Sequence, residues 1–301
     1  MRQSKHDPCV FMRDHKVRFE DDAMITKASE IVLEVPSTGL LAPTLDLMLS
    51  VHVDDNLATG MLAELERMLA ILSKEFTEYS LEKNHFKHYG VDVWRDPVKL
   101  HLYDSQQDYL DAIPEIKLPA GRFSKEALAD DALVTEFRSV VAGIAWVGVS
   151  YGPAGAAGSL FQGFLPHPTL GQCVQVNDVL NQLRTEYRPT IYRSDLKLPL
   201  CINSVSDSSL ANNSKKSQGG IYELLSSASE EFVCGPCNML ATKSAKSKRV
   251  ASSTSHTETL SAVAGLEEAC FLQTWLQELQ TGPCSALQLI EAIPVFKIRF
   301  L

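Results

Sequence analysis

A regular alternation of residues in segment 45–54 places the strongest constraint on how this chain can fold. Apolar residues occupy every odd position there, which is the period of a β-strand with one face turned to a core. Two adjacent aspartates follow, and then a polar, turn-like segment that ends in Gly60. Segment 61–76 changes to apolar residues at helical spacing. The sequence therefore predicts a chain that combines sheets and helices, of the α+β or α/β class.

Length and composition indicate globular domains. The 301 residues suffice for about two domains, and 45% hydrophobic with 22% charged residues is ordinary for folded proteins. The net charge of −9 disfavours broad non-specific binding to nucleic acid or anionic membranes, although a local basic groove stays open. No run of about 18 apolar residues occurs, the N-terminus lacks an apolar signal core, and the seven cysteines are mostly scattered. We therefore expect an intracellular chain without a membrane segment.

The rest of the chain divides into further elements by the same periodicities. In chain order we predict a hairpin in 89–103, a short helix in 104–113 capped by Asp104, an aperiodic linker in 118–136, helices in 137–149 and 174–187, strands in 196–209 and 219–227, and the longest helix in 256–279. Segment 139–158 comes nearest to a membrane span, but Ser150, Gly152 and Pro153 interrupt it. It therefore favours a buried helix followed by a loop.

Asp54 and Asp55 stand side by side at the end of the alternating segment. Two unit charges about 4 Å apart repel by about 4 kcal/mol at an effective dielectric constant near 20. Solvation in a hairpin turn reduces this repulsion, and a divalent cation such as Mg²⁺, which binds carboxylate oxygens, reverses it. Asp and Asn are common turn residues, so the pattern alone favours a solvated turn over a metal site.

The motif around these aspartates, HVDDNLATG in 52–60, is similar to the box YVDDILIAG of copia-type LTR retrotransposon reverse transcriptases. Four other segments resemble that family in matching order and spacing: KHDPCVFMRD (5–14), YGVDVWRD (89–96), EFRSVVAGIAWVGVSYGP (136–153) and PHPTLGQCVQVNDVLNQLR (166–184). The resemblance to the family's Pol polyprotein extends from about residue 5 to about residue 279. It implies a partial reverse transcriptase palm with connection helices, followed by a ribonuclease H-like mixed sheet with helices.

The resemblance also implies three regions. Residues 1–118 would be the C-terminal part of the palm with the following hairpin and helix, 119–195 a linker and helical connection region, and 196–301 a ribonuclease H-like domain. Against the family pattern, the sequence lacks an early palm segment with a further aspartate and the late carboxylates of the ribonuclease H domain. We therefore expect a Pol fragment that is truncated at both ends.

Asp54 and Asp55 would be metal-binding catalytic residues of the palm, by resemblance. The implied cofactor is Mg²⁺, and the implied partner is an RNA or DNA template-primer. His52 stands where the family has tyrosine. Polymerisation uses two metal ions about 3.5–4 Å apart, and two carboxylates on one turn are a small set to fix both ions. We therefore expect a fragment of an RNA-directed DNA polymerase with little or no activity alone.

Asp207 and Glu258 are the matching catalytic and metal-binding residues of the implied ribonuclease H-like domain. Segment 202–225 resembles the first strands of that domain, and 245–279 resembles its long helix. We expect Asp207 to end the first of about five strands and Glu258 to lie in the first turn of the helix. Their carboxyl groups should lie about 4–8 Å apart, bind Mg²⁺ weakly and act on an RNA–DNA hybrid. From the residues alone, Asp207 also fits a strand-end turn, and Ser255 with Glu258 fits a capping box.

Other motifs leave alternatives open. Cys234 and Cys237 have the spacing of thioredoxin-like sites, where a helix N-terminus lowers the thiol pKa, but the Gly-Pro between them also forms ordinary turns. His85 and His88 have helical i, i+3 spacing, and the basic run 243–249 could contact a nucleic-acid backbone. Surface histidines and a solvated loop explain these two features as well. A non-catalytic remnant or interaction protein that keeps part of the fold is the remaining alternative.

Overall fold

The computed structural model of the chain describes residues 2–4, 9–14, 45–52, 55–75, 80–210, 217–228, 235–247, 249–281 and 297–300. These residues contain twelve strands and six α-helices, and the strands form three four-stranded sheets. All strand pairs within these ranges are antiparallel except one. The predicted α+β class is therefore confirmed.

Strands and helices follow one another in blocks along the chain. The strands are β1 (Arg2–Gln3), β2 (Val10–Asp14), β3 (Leu45–His52), β4 (Asp55–Gly60), β5 (His85–His88), β6 (Val91–Arg95), β7 (Leu102–Ser105), β8 (Thr190–Tyr192), β9 (Leu200–Ser209), β10 (Gln218–Ser227), β11 (Cys237–Lys246) and β12 (Lys297–Phe300). The helices are α1 (Leu62–Glu75), α2 (Gln107–Ala112), α3 (Asp131–Val147), α4 (Gly152–Phe161), α5 (Leu170–Glu186) and α6 (Thr254–Thr281). No helix in the described ranges is long and apolar enough to cross a membrane.

Two compact units divide the chain. The first comprises Met1–Leu81 and Gln273–Pro294, and the second comprises Glu82–Leu272 and Val295–Leu301. The long helix α6 therefore contributes residues to both units. All of β5 to β12 and α2 to α5 belongs to the second unit.

The sheet of the first unit has the strand order β1-β2-β3-β4, and each neighbouring pair is antiparallel. β3 confirms the strand predicted from the alternating segment, and Met12 and Leu47 are buried. α1 confirms the predicted helix. The segment predicted as turn-like is instead the strand β4, because its backbone pairs with β3 from His52 opposite Asp55 to Leu47 opposite Gly60.

Gly60 permits a close backbone approach where this hairpin ends. Its φ is +158°, and a Cβ atom at this position would lie 2.3 Å from the carbonyl oxygen of Asp46. The backbone N–H of Met61 donates to the same carbonyl at 2.8 Å. Any residue other than glycine at position 60 would displace the backbone of β3. The chain leaves the sheet at this glycine and then enters α1.

Helices α3, α4 and α5 enclose an apolar core in the second unit. Phe137, Ile144 and Leu180 are fully buried in it. α3 begins inside the predicted linker, because the carboxylate of Asp130 caps it by accepting a hydrogen bond of 2.9 Å from the backbone N–H of Leu133. The linker prediction is therefore wrong for the residues after this cap.

α4 occupies a segment that the sequence predicted to be a loop. Pro153 lies in the first turn of α4, where the missing N–H of proline costs no helical hydrogen bond. Gly148 caps the C-terminus of α3 and faces α4 closely, since a Cβ atom at Gly148 would lie 2.3 Å from Gly155 Cα. The loop prediction is wrong, because Pro153 is tolerated in the first turn of α4 and the glycines let α3 and α4 pack closely.

The second unit also holds an antiparallel sheet with the order β5-β6-β7-β8. β6 and β7 confirm the predicted hairpin, whereas His85 and His88 lie in a strand, so their predicted helical spacing is wrong. α2 confirms the predicted short helix, but it is preceded by Gln106, which makes no side-chain capping bond. Asp104 lies in β7, where its carboxylate accepts a hydrogen bond of 3.0 Å from the Tyr192 hydroxyl. The predicted aspartate cap is therefore wrong.

The third sheet has the order β11-β10-β9-β12. β9, β10 and β11 are successive antiparallel strands, and β12 pairs in parallel with the other edge of β9. α6 packs on one face, since a Cβ atom at Gly265 would lie 2.8 Å from Ser204 Oγ and 3.7 Å from Ile221 Cγ2. The strands and long helix predicted here are confirmed. The described residues contain four strands of this sheet, against the expected five or so.

Candidate functional site

Asp54 lies outside the described residues. For Asp55 the structure describes the backbone. Asp55 is the first residue of β4, and it pairs with His52, the last residue of β3. The backbone of Asp55 therefore begins the second strand of an antiparallel pair. Metal binding by Asp54 and Asp55 stays a prediction.

Asp207 lies in β9, two residues before the strand ends. Its side chain is exposed, and its carboxylate accepts a hydrogen bond of 2.8 Å from the backbone N–H of Ser208. The carbonyl oxygen of Asp207 accepts a hydrogen bond of 3.0 Å from the Ser261 hydroxyl of α6. The backbone of Asp207, but not its carboxylate, is thus bonded to the long helix.

Glu258 is the fifth residue of α6 and is half-buried. The helix is capped by Ser253, whose hydroxyl accepts a hydrogen bond of 3.2 Å from the backbone N–H of His256. The predicted capping box of Ser255 and Glu258 is therefore wrong, because the helix begins at Thr254 and Ser255 is already inside it. Glu258 therefore lies just after the first turn of α6, whereas we expected it within that turn.

The positions of Asp207 and Glu258 are brought together through their neighbours. The Ser208 hydroxyl donates a hydrogen bond of 2.8 Å to Thr257 Oγ1, and Thr257 itself is buried. Because successive side chains of a strand point to opposite faces, the contact of Ser208 with α6 directs Asp207 to the other face of the sheet. The structure therefore joins the two backbones, and a metal ion shared by the two carboxylates stays a prediction.

A buried carboxylate beneath α6 was missed by the sequence reasoning. Glu223 of β10 is fully buried, and its Oε1 accepts a hydrogen bond of 2.7 Å from the Ser204 hydroxyl. Its Oε2 has no hydrogen-bond partner among the described residues. Burial raises the pKa of Glu223 to about 7, and the carboxylate of Glu268 adds to the rise, while the hydrogen bond from Ser204 opposes it. The sequence did hold a sign of this burial, because Glu223 lies at the alternate position between Ile221 and Leu225, which are both buried.

The cysteine pair gains no support as a redox site. Cys234 lies outside the described residues, and Cys237 is the first residue of strand β11, so the expected helix does not follow it. Burial raises the pKa of the Cys237 thiol, and the nearby charge of Arg193 opposes this only in part. A reactive thiol needs the opposite shift.

Comparison with known proteins returned no match, since neither a protein-family model nor a curated protein matches this chain. Within the part of the chain that the structure describes, no group of three or more His, Cys, Asp or Glu side chains is placed to hold a metal ion.

Proposed function

We propose that this chain derives from a copia-type Pol polyprotein and that its C-terminal part is a ribonuclease H-like domain that binds RNA–DNA hybrids. The observation that carries the proposal is the third sheet. Three successive antiparallel strands are followed along the chain by a long helix, and β12 then returns parallel to β9. The resemblance implies a mixed sheet of this kind with a long helix packed on it.

The contacts of α6 with the sheet add support. The Ser261 hydroxyl lies 3.0 Å from the carbonyl oxygen of Asp207 and 3.3 Å from that of Gly220, so one helix residue is anchored to two strands. The N-terminal end of α6 is thereby held near the carboxyl end of β9. A helix N-terminus carries partial positive charge and free N–H groups, which suit a phosphate of the nucleic-acid backbone.

Mg²⁺ is the cofactor that the resemblance implies. The donors Asp207 and Glu258 are hard oxygen ligands, which suits Mg²⁺, and the ion would activate a water for attack on a phosphodiester. Their placement does not suit one tightly held ion, because Asp207 projects from the face of the sheet opposite to α6. We therefore include in the proposal only weak Mg²⁺ binding at these residues and no metal-dependent step.

Polymerisation is the other activity that the resemblance implies. We propose that the isolated chain extends primers slowly or not at all, since Asp54 and Asp55 are only two adjacent carboxylates and polymerases position two ions. A steady-state primer-extension assay with Mg²⁺ or Mn²⁺ tests this part. Robust extension by the purified chain would contradict it.

Hybrid binding is tested by fluorescence anisotropy with a labelled RNA–DNA hybrid and a DNA duplex of the same sequence. We expect tighter binding of the hybrid and little RNA cleavage with Mg²⁺ present. Equal affinity for both duplexes, or no binding to either, would reject the ribonuclease H-like assignment. A Mg²⁺ titration followed by amide NMR adds a local readout: millimolar shifts should centre on Asp207 and on Glu258. The shifts at Asp207 should vanish in Asp207→Asn, and both sets should persist in the exposed control Glu267→Gln.

A non-catalytic interaction protein is the second candidate function. It is favoured by the orientation of Asp207 and by the buried Glu223, which stands where an apolar residue would suit the face under α6. This candidate predicts no preference for the hybrid over the DNA duplex and no cleavage even at high Mn²⁺. Cleavage that is abolished by both Asp207→Asn and Glu258→Gln would instead favour the enzyme.

A further inference from the structure

Three buried residues of α6, spaced one helical turn apart, face the third sheet. They are Thr257, Ser261 and Gly265. The side chain of Thr257 bonds to that of Ser208, and the Ser261 hydroxyl bonds to the backbone of two strands. A Cβ atom at Gly265 would lie only 2.8 Å from Ser204 Oγ, so the backbone of α6 comes close to the sheet here. The polar contacts of these residues therefore help to hold the N-terminal half of α6 on the sheet.

The carboxyl group of Glu223 lies directly beneath this part of the helix. Glu223 is opposite Ser204 in the sheet, and the Ser204 hydroxyl bonds to its Oε1 at 2.7 Å. A Cβ atom at Gly265 would lie 3.8 Å from the same oxygen, so the helix backbone covers the carboxyl group. The other oxygen, Oε2, is buried and has no hydrogen-bond partner among the described residues. An ionised Glu223 would therefore exchange its hydration for a single hydrogen bond, which is unfavourable.

Glu268 adds a second carboxyl group on the helix side. It follows Gly265 by three residues, so the two share one side of α6, and it is half-buried. Its negative charge raises the pKa of Glu223 in addition to the larger effect of burial, whereas the hydrogen bond from Ser204 lowers that pKa. The sequence of α6 contains no Lys or Arg. The helix therefore brings a like charge to Glu223 and no basic side chain to neutralise it.

The strands around Glu223 supply no counter-ion either. The residues directly opposite it are Ser204 of β9 and Ala241 of β11. Lys243 lies two residues beyond Ala241 on the same strand, but it is exposed, and Oε2 of Glu223 stays without a partner among the described residues. On β12, the residue opposite Ser204 is Phe300, which carries no charge. The surroundings of Glu223 in the docked state therefore favour its neutral form.

The protonation of Glu223 is thereby linked to the docking of α6. With the helix docked, the pKa of Glu223 is about 7, and it returns towards the ordinary value of 4.5 once the helix moves away and water reaches the carboxyl group. The docked state therefore binds the proton more tightly than the open state. This contribution to docking is fully present below about pH 4.5 and is lost as the pH rises through about 7.

We propose that Glu223 is a proton-controlled latch, which holds the N-terminal half of α6 on the third sheet while it is protonated and lets this half open locally when it releases the proton to water. Opening breaks the hydrogen bonds of Ser261 to the carbonyl groups of Asp207 and Gly220. The backbones at Asp207 and Glu258 are then held together in acid and released above neutral pH. This inference requires neither Mg²⁺ nor hybrid binding, so it and the proposed function can fail independently.

The test is native-state hydrogen exchange of backbone amides, followed by NMR at about pH 5.5 and about pH 7.5 and corrected for the intrinsic effect of pH on exchange. We expect the amides of residues 261–265 to open more readily than those of the buried α3 residues Val141 and Ile144, because local opening costs less than global unfolding. The opening constant of residues 261–265 should rise at least about 10-fold over this pH interval, because opening is coupled to loss of the Glu223 proton.

Three glutamate variants assign the effect to Glu223. Glu223→Gln keeps an acceptor for the Ser204 hydroxyl but cannot ionise, so its opening constant should agree within about twofold at the two pH values. Glu268→Gln removes the like charge and should make the rise smaller, because the pKa of Glu223 is then raised less. The matched control is Glu267→Gln, which changes the exposed residue next to Glu268 and should show the same rise as the unchanged chain.

Two results with the unchanged chain would overturn the latch. One is an opening constant for residues 261–265 that is the same at both pH values. The other is equal protection of these amides and those of α3 at the higher pH, because α6 would then open only when the whole unit unfolds. If Glu223→Gln does not fold, the ¹³C shift of the Glu223 carboxyl group in the unchanged chain gives the decisive titration. A midpoint below about pH 5.5 would reject the latch, since little proton uptake would then accompany docking.

Discussion

Ser208 of β9 and Thr257 of α6 are joined by a hydrogen bond of 2.8 Å between their side-chain oxygens. The Thr257 hydroxyl donates its own hydrogen to the carbonyl of Thr254 at 2.7 Å and accepts the hydrogen of the Ser208 hydroxyl. This polar link sits between positions 207 and 258, the two candidate site residues. This hydrogen bond therefore holds the end of β9 against the start of α6.

Removing one partner of this link should destabilise the second unit. Thr257→Val keeps the shape but leaves the Ser208 hydroxyl without its acceptor, and we expect a loss of about 1–2 kcal/mol. Ser208→Ala should cost about 0.5–1.5 kcal/mol, since Thr257 keeps its bond to Thr254. Urea unfolding of both variants and the double mutant measures the coupling, and Thr259→Val on the exposed side of the same helix is the control. Additive losses would show that the two hydroxyls do not interact.

Glu223 should make folding stability fall as the pH rises. Its folded pKa is raised to about 7 from an ordinary value of 4.5, so the folded state binds the proton more tightly. The contribution is therefore fully present below about pH 4.5 and is lost as the pH passes through about 7. Glu223→Gln, which stays neutral and can still accept from Ser204, should be more stable than the unchanged chain by about 1–3 kcal/mol at pH 8 and similar at pH 4.5.

The measurement for Glu223 is urea unfolding at a series of pH values. The exposed Glu267→Gln on α6 is the matched control. Its free energy of unfolding should differ from that of the unchanged chain by the same amount at every pH. A free-energy difference between Glu223→Gln and the unchanged chain that does not grow between pH 5 and pH 8 would show that Glu223 is ionised in the folded state.

Gly148 and Gly155, where α3 meets α4, should respond very differently to the same substitution. A Cβ atom at Gly148 would lie 2.3 Å from Gly155 Cα, a backbone atom that can move only if the helices separate. A Cβ atom at Gly155 would lie no closer than 3.4 Å to its neighbours. We expect Gly148→Ala to cost about 1–3 kcal/mol, the typical range for overpacked cores, and Gly155→Ala to be neutral or mildly stabilising. Thermal unfolding of the two variants compares them, and equal losses would contradict the close crossing.

The elements that the sequence predicted correctly are those set by local periodicity. β3, α1, β9 and α6 each carry a period-two or helical pattern within one segment. β5 and β8 could not be predicted in this way, because each is short and its place in the sheet depends on a partner strand. α4 was missed because Gly152 and Pro153 are breakers inside a helix but not at its first turn.

The candidate site shows the same division between local and non-local information. The strand of Asp207 and the helix of Glu258 follow from periodicity, but the face that Asp207 occupies depends on how α6 docks through Ser208. The four-residue run from Ser252 to Ser255 offers several possible caps, and only the bond of the Ser253 hydroxyl identifies the one used. The raised pKa of Glu223 likewise arises from burial under a helix about 30 residues or more along the chain.

Cysteine reactivity gives a direct test of the thiol-disulfide alternative. Cys270 is exposed on α6, whereas Cys237 is half-buried at the start of β11 and burial raises its thiol pKa. Because the thiolate is the reacting species, we expect iodoacetamide at pH 8 to modify Cys270 at least about 10-fold faster than Cys237. Peptide mass spectrometry over a time course measures both rates in one sample, and the buried Cys173 and Cys201 serve as slow internal references. Modification of Cys237 ahead of Cys270 would restore thiol chemistry as a function of this chain.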